Sequence, residues 1–494
     1  MVKIIFMCVL GTALLMLAMS LTVAENNPAV EYAQEKGLSG LATDGVAGLG
    51  KDGVLDENGR KFIDLLSEQS PSEQVLLAVK YAFDGEITED ELNEILKLAL
   101  GPSQAKRRVL WSLHFIDDSS RGADGVKLAD VNDDGLMDIV TGWEEGGIVR
   151  VCINPGSANA KEKWPAVTVG KAGDVEDAVF VDLNANGEMD VVSSCEGEVR
   201  TMFVHWAPDD RDKYLNPLSW KTEAIPASQG VMRWMFCIPM QVDEKKGIDL
   251  VAGGKDRDAK IGWFEAPTNS LDISGWKWHP ISNAGWIMSL FTLDMDGDGD
   301  LDIVTSDRYG DMRGCRWLEN PGPGLAQDQY WTNHYIGGRD KEVMFMTVVD
   351  LDQDGILDIL TAIAEPAATE LIFFRRVSRG AVSWEVFSIS LPENTGFGKA
   401  VAVGDIDIDG KPDIVFTSGR AEGKFGVMWM SYNKSPTENV WEPHHIAGTA
   451  GSKFDLVELL DLDGDGDLDV ITCEEGQNMG VIWYENPTID YQLN

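Results

Sequence analysis

The chain has 494 residues, with 82 acids against 41 bases and a formal net charge of -41 at neutral pH. That imbalance excludes a nucleic-acid binder and sets the chain against anionic membrane surfaces at long range. Six cysteines are too few for a disulfide framework, and the length suits a repeat array better than one simple core.

Residues 1–24 read as a secretory signal: Lys3 supplies the positive start, 4–21 the apolar stretch, and Thr22-Val23-Ala24 the small-residue end. The alternative is a membrane anchor, because the apolar run is near spanning length. Either way the remainder is addressed outward, as a secreted, periplasmic or cell-surface protein. Removing this segment leaves Cys152, Cys195, Cys237, Cys315 and Cys473, which are dispersed and odd in number, so one bridge is possible and metal-site spacing is absent.

Residues 25–106 predict a small helical domain. Helical spacing runs over 62–67, 72–83 and 88–100, with Ser70-Pro71 as a cap and Gly101-Pro102-Ser103 as a boundary. Asp84-Gly85-Glu86-Ile87 before Glu91-Leu92 is similar to the back half of an EF-hand. Lys80 and Ala82 stand where its first ligands belong, so a plain turn is expected. The stretch 48–59 offers a still weaker match.

From 107 to 494 the pattern is β. Seven times an acidic or amide-rich loop runs straight into an apolar strand, at a period of about 50 to 60 residues, which is the range of propeller blades. A strand such as 126–129 enters the loop and one such as 137–141 leaves it. A third strand carries tryptophan and often ends in Glu-Asn-Pro or Glu-Ala-Pro, at Pro267, Pro321 and Pro487. A fourth opens with tryptophan and has histidine three residues on, as in Trp276/His279, Trp331/His334 and Trp441/His444. Four strands, seven times, predict an all-β seven-bladed propeller preceded by the helical domain. The last repeat stops after its third strand, and an extra fourth-type strand at 110–116 precedes the first. That strand is expected to complete the last blade and close the ring.

In the good loops positions 1, 3 and 5 are Asp or Asn, position 6 is Gly, and position 9 is Asp. These candidate ligands are Asp130, Asn132, Asp134 and Asp138; Asp182, Asn184, Asn186 and Asp190; Asp294, Asp296, Asp298 and Asp302; Asp350, Asp352, Asp354 and Asp358; Asp405, Asp407, Asp409 and Asp413; and Asp461, Asp463, Asp465 and Asp469. Carboxylates this close repel one another. A hard divalent cation, Ca2+, offsets that with oxygen ligands, and the glycine permits the sharp return. The copy at Gln241, Asp243 and Asp249 is eroded: Lys245 and Lys246 replace ligands and the loop reads one residue short, so a metal-free turn is expected there.

The Asp-x-Asp/Asn-x-Asp-Gly-x-x-Asp loop followed by an apolar strand resembles FG-GAP/VCBS repeats, as in the integrin α-subunit head. The resemblance covers most of 108–494 and implies a seven-bladed propeller whose loops hold structural calcium. The Phe-Gly/Gly-Ala-Pro half of that signature is replaced here by Glu-Asn-Pro and Glu-Ala-Pro, which points to a bacterial-type secreted branch.

A ligand site is expected on the face opposite the acidic loops. Its loops carry Arg121, Trp143, Arg233, Trp234, Lys255, Arg257, Trp286, Arg308, Tyr309, Arg313, Arg339, Lys399, Arg420, Lys424 and Lys453. Cations with aromatics suit an anionic sugar or a carboxylate; the bland reading is loop charges paired with Glu144, Asp256, Asp311 or Glu342. The main functional reading is a calcium-binding module for a glycan or cell-surface protein. The alternative is a polysaccharide lyase acting on acidic glycans, with Tyr309, Arg308 and Arg313 as candidate catalytic residues. A third is a matrix protein. His114, His279, His334 and His444 share one repeat position and read as structural, while His205 and His445 have no evident partner in the sequence. No nucleophile elbow or phosphate loop is present.

Overall fold

The computed structural model describes residues 110–489 apart from 246, 323, 328, 365–368 and 379–382. The signal segment, the helical domain and the EF-hand-like stretches lie outside the described residues.

Among the described residues, twenty-eight strands form seven antiparallel four-stranded sheets. An opening strand, β1 (Ser112–Asp117), precedes blade one, which is β2 (Ala123–Ala129), β3 (Asp138–Trp143), β4 (Ile148–Cys152) and β5 (Ala166–Lys171). Blade two is β6 (Val175–Val181), β7 (Asp190–Cys195), β8 (Met202–Trp206) and β9 (Lys221–Ala224). Blade three is β10 (Arg233–Met240), β11 (Asp249–Lys255), β12 (Lys260–Glu265) and β13 (Lys277–Asn283). Blade four is β14 (Ile287–Leu293), β15 (Asp302–Asp307), β16 (Gly314–Glu319) and β17 (Thr332–Gly337). Blade five is β18 (Val343–Val349), β19 (Asp358–Ile363), β20 (Glu370–Arg376) and β21 (Trp384–Ser390). Blade six is β22 (Phe397–Gly404), β23 (Asp413–Gly419), β24 (Val427–Tyr432) and β25 (Trp441–His445). Blade seven is β26 (Phe454–Leu460), β27 (Asp469–Glu474) and β28 (Gly480–Glu485), completed by β1.

The expected closure is present. β1 pairs antiparallel with β28, from Ser112 opposite Glu485 to Asp117 opposite Val481. Strands from both ends of the propeller thus share one sheet, and β1 covers the edge of β28 that would otherwise be open to another chain.

Burial grades outward as face-to-face packing of blades requires. Every second strand is buried throughout, as in Ile303 and Val304 of β15, whereas the outer β21 is largely exposed. Apolar side chains on both faces of a second strand each meet a neighbouring blade, so alternation disappears there. Each first strand carries a register shift against its second strand, between Asp124 and Lys127 in blade one and between Phe454 and Val457 in blade seven, for example. The same shift recurs in the other five blades. Such bulges increase twist and re-aim side chains at a rim. The first strands line a central channel of about 300 Å³, with Lys127, Phe236, Phe345 and Glu458 among its walls.

Candidate functional site

The acidic loops join first to second strands, as predicted, and therefore share one face. Their local fold rests on two carboxylates. In four loops position 1 accepts from the backbone N–H groups of positions 5 and 6: Asp130 takes Asp134 N at 3.2 Å and Gly135 N at 2.9 Å, and Asp405 takes Asp409 N at 2.9 Å and Gly410 N at 3.0 Å; Asp294 and Asp461 accept from positions 4 and 6 instead. Position 9 ties loop to blade. Asp138 accepts from Val131 N at 2.9 Å and from Asn154 N, just past the third strand, at 2.8 Å. Asp302 does the same with Met295 and Asn320, and Asp469 with Leu462 and Asn486. The Glu-Asn-Pro ending has its reason here: its asparagine also donates its side-chain amide to the carbonyl before the position-9 aspartate, Leu301 or Leu468.

Position 4 is left-handed in all seven loops. Only Gly297 (φ 84°) and Gly464 (φ 78°) suit that conformation; Asp133, Ala185, Glu244, Gln353 and Ile408 adopt φ of 57–59° without being glycine. Sequence inspection missed this position because the signal is visible in only two of the copies.

Among the described residues, four loops bring three carboxylates to within 4.8 Å of one another: Asp294, Asp296 and Asp302; Asp350, Asp352 and Asp358; Asp405, Asp407 and Asp413; and Asp461, Asp463 and Asp465. The loops at 130–138 and 182–190 put amides at one or two of these places. Burial pushes every position-9 carboxyl upward, with neighbouring carboxylates adding to it: Asp138 and Asp302 to about 6, Asp190 and Asp358 to about 7, Asp413 and Asp469 to about 8. Converging oxygen donors whose charge is held at a cost are the chemistry a hard cation would relieve. The fifth loop has a competitor: Arg375 contacts Asp352 and lies 2.9 Å from Asp354.

The third loop is not short. Asp249 is at position 9, accepting from Val242 N at 3.0 Å and Ala266 N at 2.8 Å, in register with the other loops; only the glycine is late, at Gly247. Its donors do not fit a metal. Gln241 donates to the carbonyls of Lys245 and Gly247, and the Lys245 ammonium lies 2.7 Å from both Asp243 and Glu265. A side-chain cation offsets the charge in this loop.

On the opposite face the structure separates the sequence candidates. Trp143 and Trp234 are fully buried and belong to the core. Trp286 contacts two cations, with Lys255 4.4 Å and Arg308 5.0 Å from its ring centre. Arg308 also reaches Glu342 at 3.3 Å, and the Tyr309 hydroxyl donates to Glu342 at 2.9 Å. Asp307 fixes this turn by accepting from the backbone N–H groups of Gly285 and Trp286, with the fully buried Arg316 3.4 Å away. Lys255, Trp286, Arg308, Tyr309 and Glu342 therefore clasp blades three, four and five. Arg313 instead donates to the Arg339 carbonyl at 3.0 Å. Burial and Glu342 hold the Tyr309 hydroxyl above its ordinary value, which opposes use as a base. Arg233 pairs with Asp256 at 2.8 Å, and Lys255 with Glu196. Much of the set is thus committed to internal pairs.

His114, His279, His334 and His444 stack on Trp483, Trp263, Trp317 and Trp429. The first three also donate to Glu485, Glu265 and Glu319. His205 does have partners: it is fully buried, 2.9 Å from both Ser193 and Thr222. His445 packs against Phe425. The five described cysteines are free and buried. No helix among the described residues is long and apolar enough to cross a membrane.

Residues 118–193 and 405–472 match the FG-GAP-like repeat. Each span contains two acidic loops, 130–138 and 182–190 in the first and 405–413 and 461–469 in the second, and the seven-bladed ring is consistent with an FG-GAP propeller. No curated protein matches the chain. A solved structure, BBS1N in complex with ARL6DN and soaked with mercury, is similar at 10% identity and a TM-score of 0.43, over 76% of this chain and 96% of that one.

Proposed function

With FG-GAP-like repeats on a seven-bladed ring as the premise, we propose that this protein is a secreted calcium-binding propeller that works as a binding module for a glycan or a cell-surface protein. The observation that carries the metal reading is the convergence of three carboxylates in four separate loops. Asp294, Asp296 and Asp302 would hold one ion, and Asp350, Asp352 and Asp358, Asp405, Asp407 and Asp413, and Asp461, Asp463 and Asp465 would hold others. The amide-rich loops at Asp130, Asn132, Asp134 and Asp138 and at Asp182, Asn184, Asn186 and Asp190 would hold weaker ones. The ion supplies positive charge that relieves carboxylate repulsion and locks the loop on its blade.

The ligand belongs on the other face, around the channel mouth, where propeller loops vary without disturbing the blades. Lys255 and Arg308 already lie against the Trp286 ring, so a ligand would rely on the exposed Arg121 and Arg257 instead. The lyase alternative requires a free base, and Tyr309 is engaged with Glu342. Binding of purified protein to a glycan array, with absorbance of a new double bond followed on acidic polysaccharides, tests the choice. Retention without turnover supports the module. Appearance of unsaturated product replaces it with the lyase.

A further inference from the structure

We propose that Asp124, Glu144 and Glu475 form a divalent-cation site on the face opposite the acidic loops, at the seam where blade one meets blade seven. One carboxylate oxygen from each lies within 4.8 Å of the other two. Asp124 stands at the bulge of β2, Glu144 in the turn after β3, and Glu475 in the turn after β27. Two backbone bonds hold these turns in place, Glu144 N to Gly122 O at 2.7 Å and Glu475 N to Lys453 O at 3.0 Å.

Asp124 itself points to a ligand. It is 6% exposed and its carboxylate accepts no hydrogen bond from the described residues; Lys453 and Lys399 attract it only from beyond contact distance. A buried carboxylate without a partner is costly, and native structures seldom retain one unserved. Its surroundings increase the demand. Asp455, 1% exposed, gives one oxygen to Lys399 and has no hydrogen-bond partner for the other. Lys453 contacts Glu475 and lies 3.9 Å from Asp455. Asp124, Glu144, Glu176, Asp455 and Glu475 thus face Lys399 and Lys453, with Lys255 acting on Glu176 as well, so acids outnumber bases at the seam. Burial, then Asp455 and Glu176, push the Asp124 carboxyl well above the ordinary range.

Three carboxylates with no imidazole or thiol among them select a hard cation such as Ca2+, Mg2+ or Mn2+. Glu144 and Glu475 are half-buried, so solvent reaches the site. An ion here would bridge the first blade to the one that β1 completes, reinforcing ring closure from the face opposite the acidic loops.

The test uses the full chain and Mn2+ as probe. Crystals soaked in Mn2+ should show an anomalous peak among Asp124, Glu144 and Glu475. In solution the E144Q/E475Q variant, altered only at half-buried positions, should bind one Mn2+ fewer than wild type by calorimetry. D124N gives a second, independent reading. No peak at the seam while the acidic loops are filled, or equal stoichiometry in the variant, overturns the proposal. A seam peak without loop peaks upholds it while removing the loop reading; no bound ion anywhere removes both.

Discussion

His114 lies across Trp483 with ring centroids 4.5 Å apart and donates from Nε2 to Glu485 at 2.8 Å, a hydrogen bond spanning 371 positions. Blades three and four make the same arrangement inside one repeat, with His279 on Trp263 and Glu265 and His334 on Trp317 and Glu319. The opening strand therefore restores to blade seven the histidine its own repeat lacks. Replacing His114 with Ala should cost about 1 kcal/mol, the scale of an aromatic pair, in a denaturant melt. Removing 110–117 should do far more, exposing the edge of β28 and producing aggregates visible by light scattering. A truncated chain that stays monomeric and equally stable would show that closure is dispensable.

Chelation should lower the melting temperature, and the loss should grow with pH. The position-9 carboxyls are raised in the folded state, to about 6 for Asp302 and about 8 for Asp469, against 3.8 for the unshifted group. The folded chain then holds protons that the unfolded chain releases, so stability present at low pH falls as pH rises from about 4 through 8. A bound cation removes the reason for the shift. Melts in EDTA and in calcium should converge near pH 4 and separate toward pH 8. Asp296→Ala or Asp463→Ala should weaken one ion without abolishing folding, because blades share the load.

Lys245→Met should destabilise the protein by the same amount in calcium and in EDTA. Its ammonium, not a metal, balances Asp243 and Glu265. Paired melts give the answer; a deficit that calcium repairs would place an ion in this loop after all.

Ile408 is a β-branched residue at φ 58°, in an exposed loop. That conformation costs about 1–2 kcal/mol for such a residue, and asparagine tolerates it better. Ile408→Asn should raise stability in a urea melt; an unchanged or lower midpoint would show that the backbone conformation carries no such cost here.

His205 predicts acid sensitivity of the opposite sign to the loops. Burial pulls it down to about 3 from 6.5. Between pH 6.5 and 3 the unfolded chain takes a proton that the folded one refuses, so stability present above 6.5 is lost at about 1.4 kcal/mol per pH unit as pH falls. His205→Gln, which keeps hydrogen-bonding groups near Ser193 and Thr222, should flatten that part of the curve.

Blade count, the face bearing the acidic loops and the strand that closes the ring are all legible in the residue pattern. All three are periodic: each rests on residues a few places apart within one repeat, copied until the pattern is unmistakable. Asp294, Asp296 and Asp302 converge because nine consecutive residues dictate one turn. Tertiary structure alone decided which charges are free. Whether Lys255 and Arg308 meet a ligand or Trp286, and whether Asp124 has a partner, depends on residues from different blades, and no local spacing encodes the distance between them. Ile408 hides a required backbone conformation under a residue that does not advertise it, and His205 finds Ser193 and Thr222 only when its sheet assembles. Contacts across the ring are set by packing of whole blades, which is a property of the closed circle and not of any single repeat.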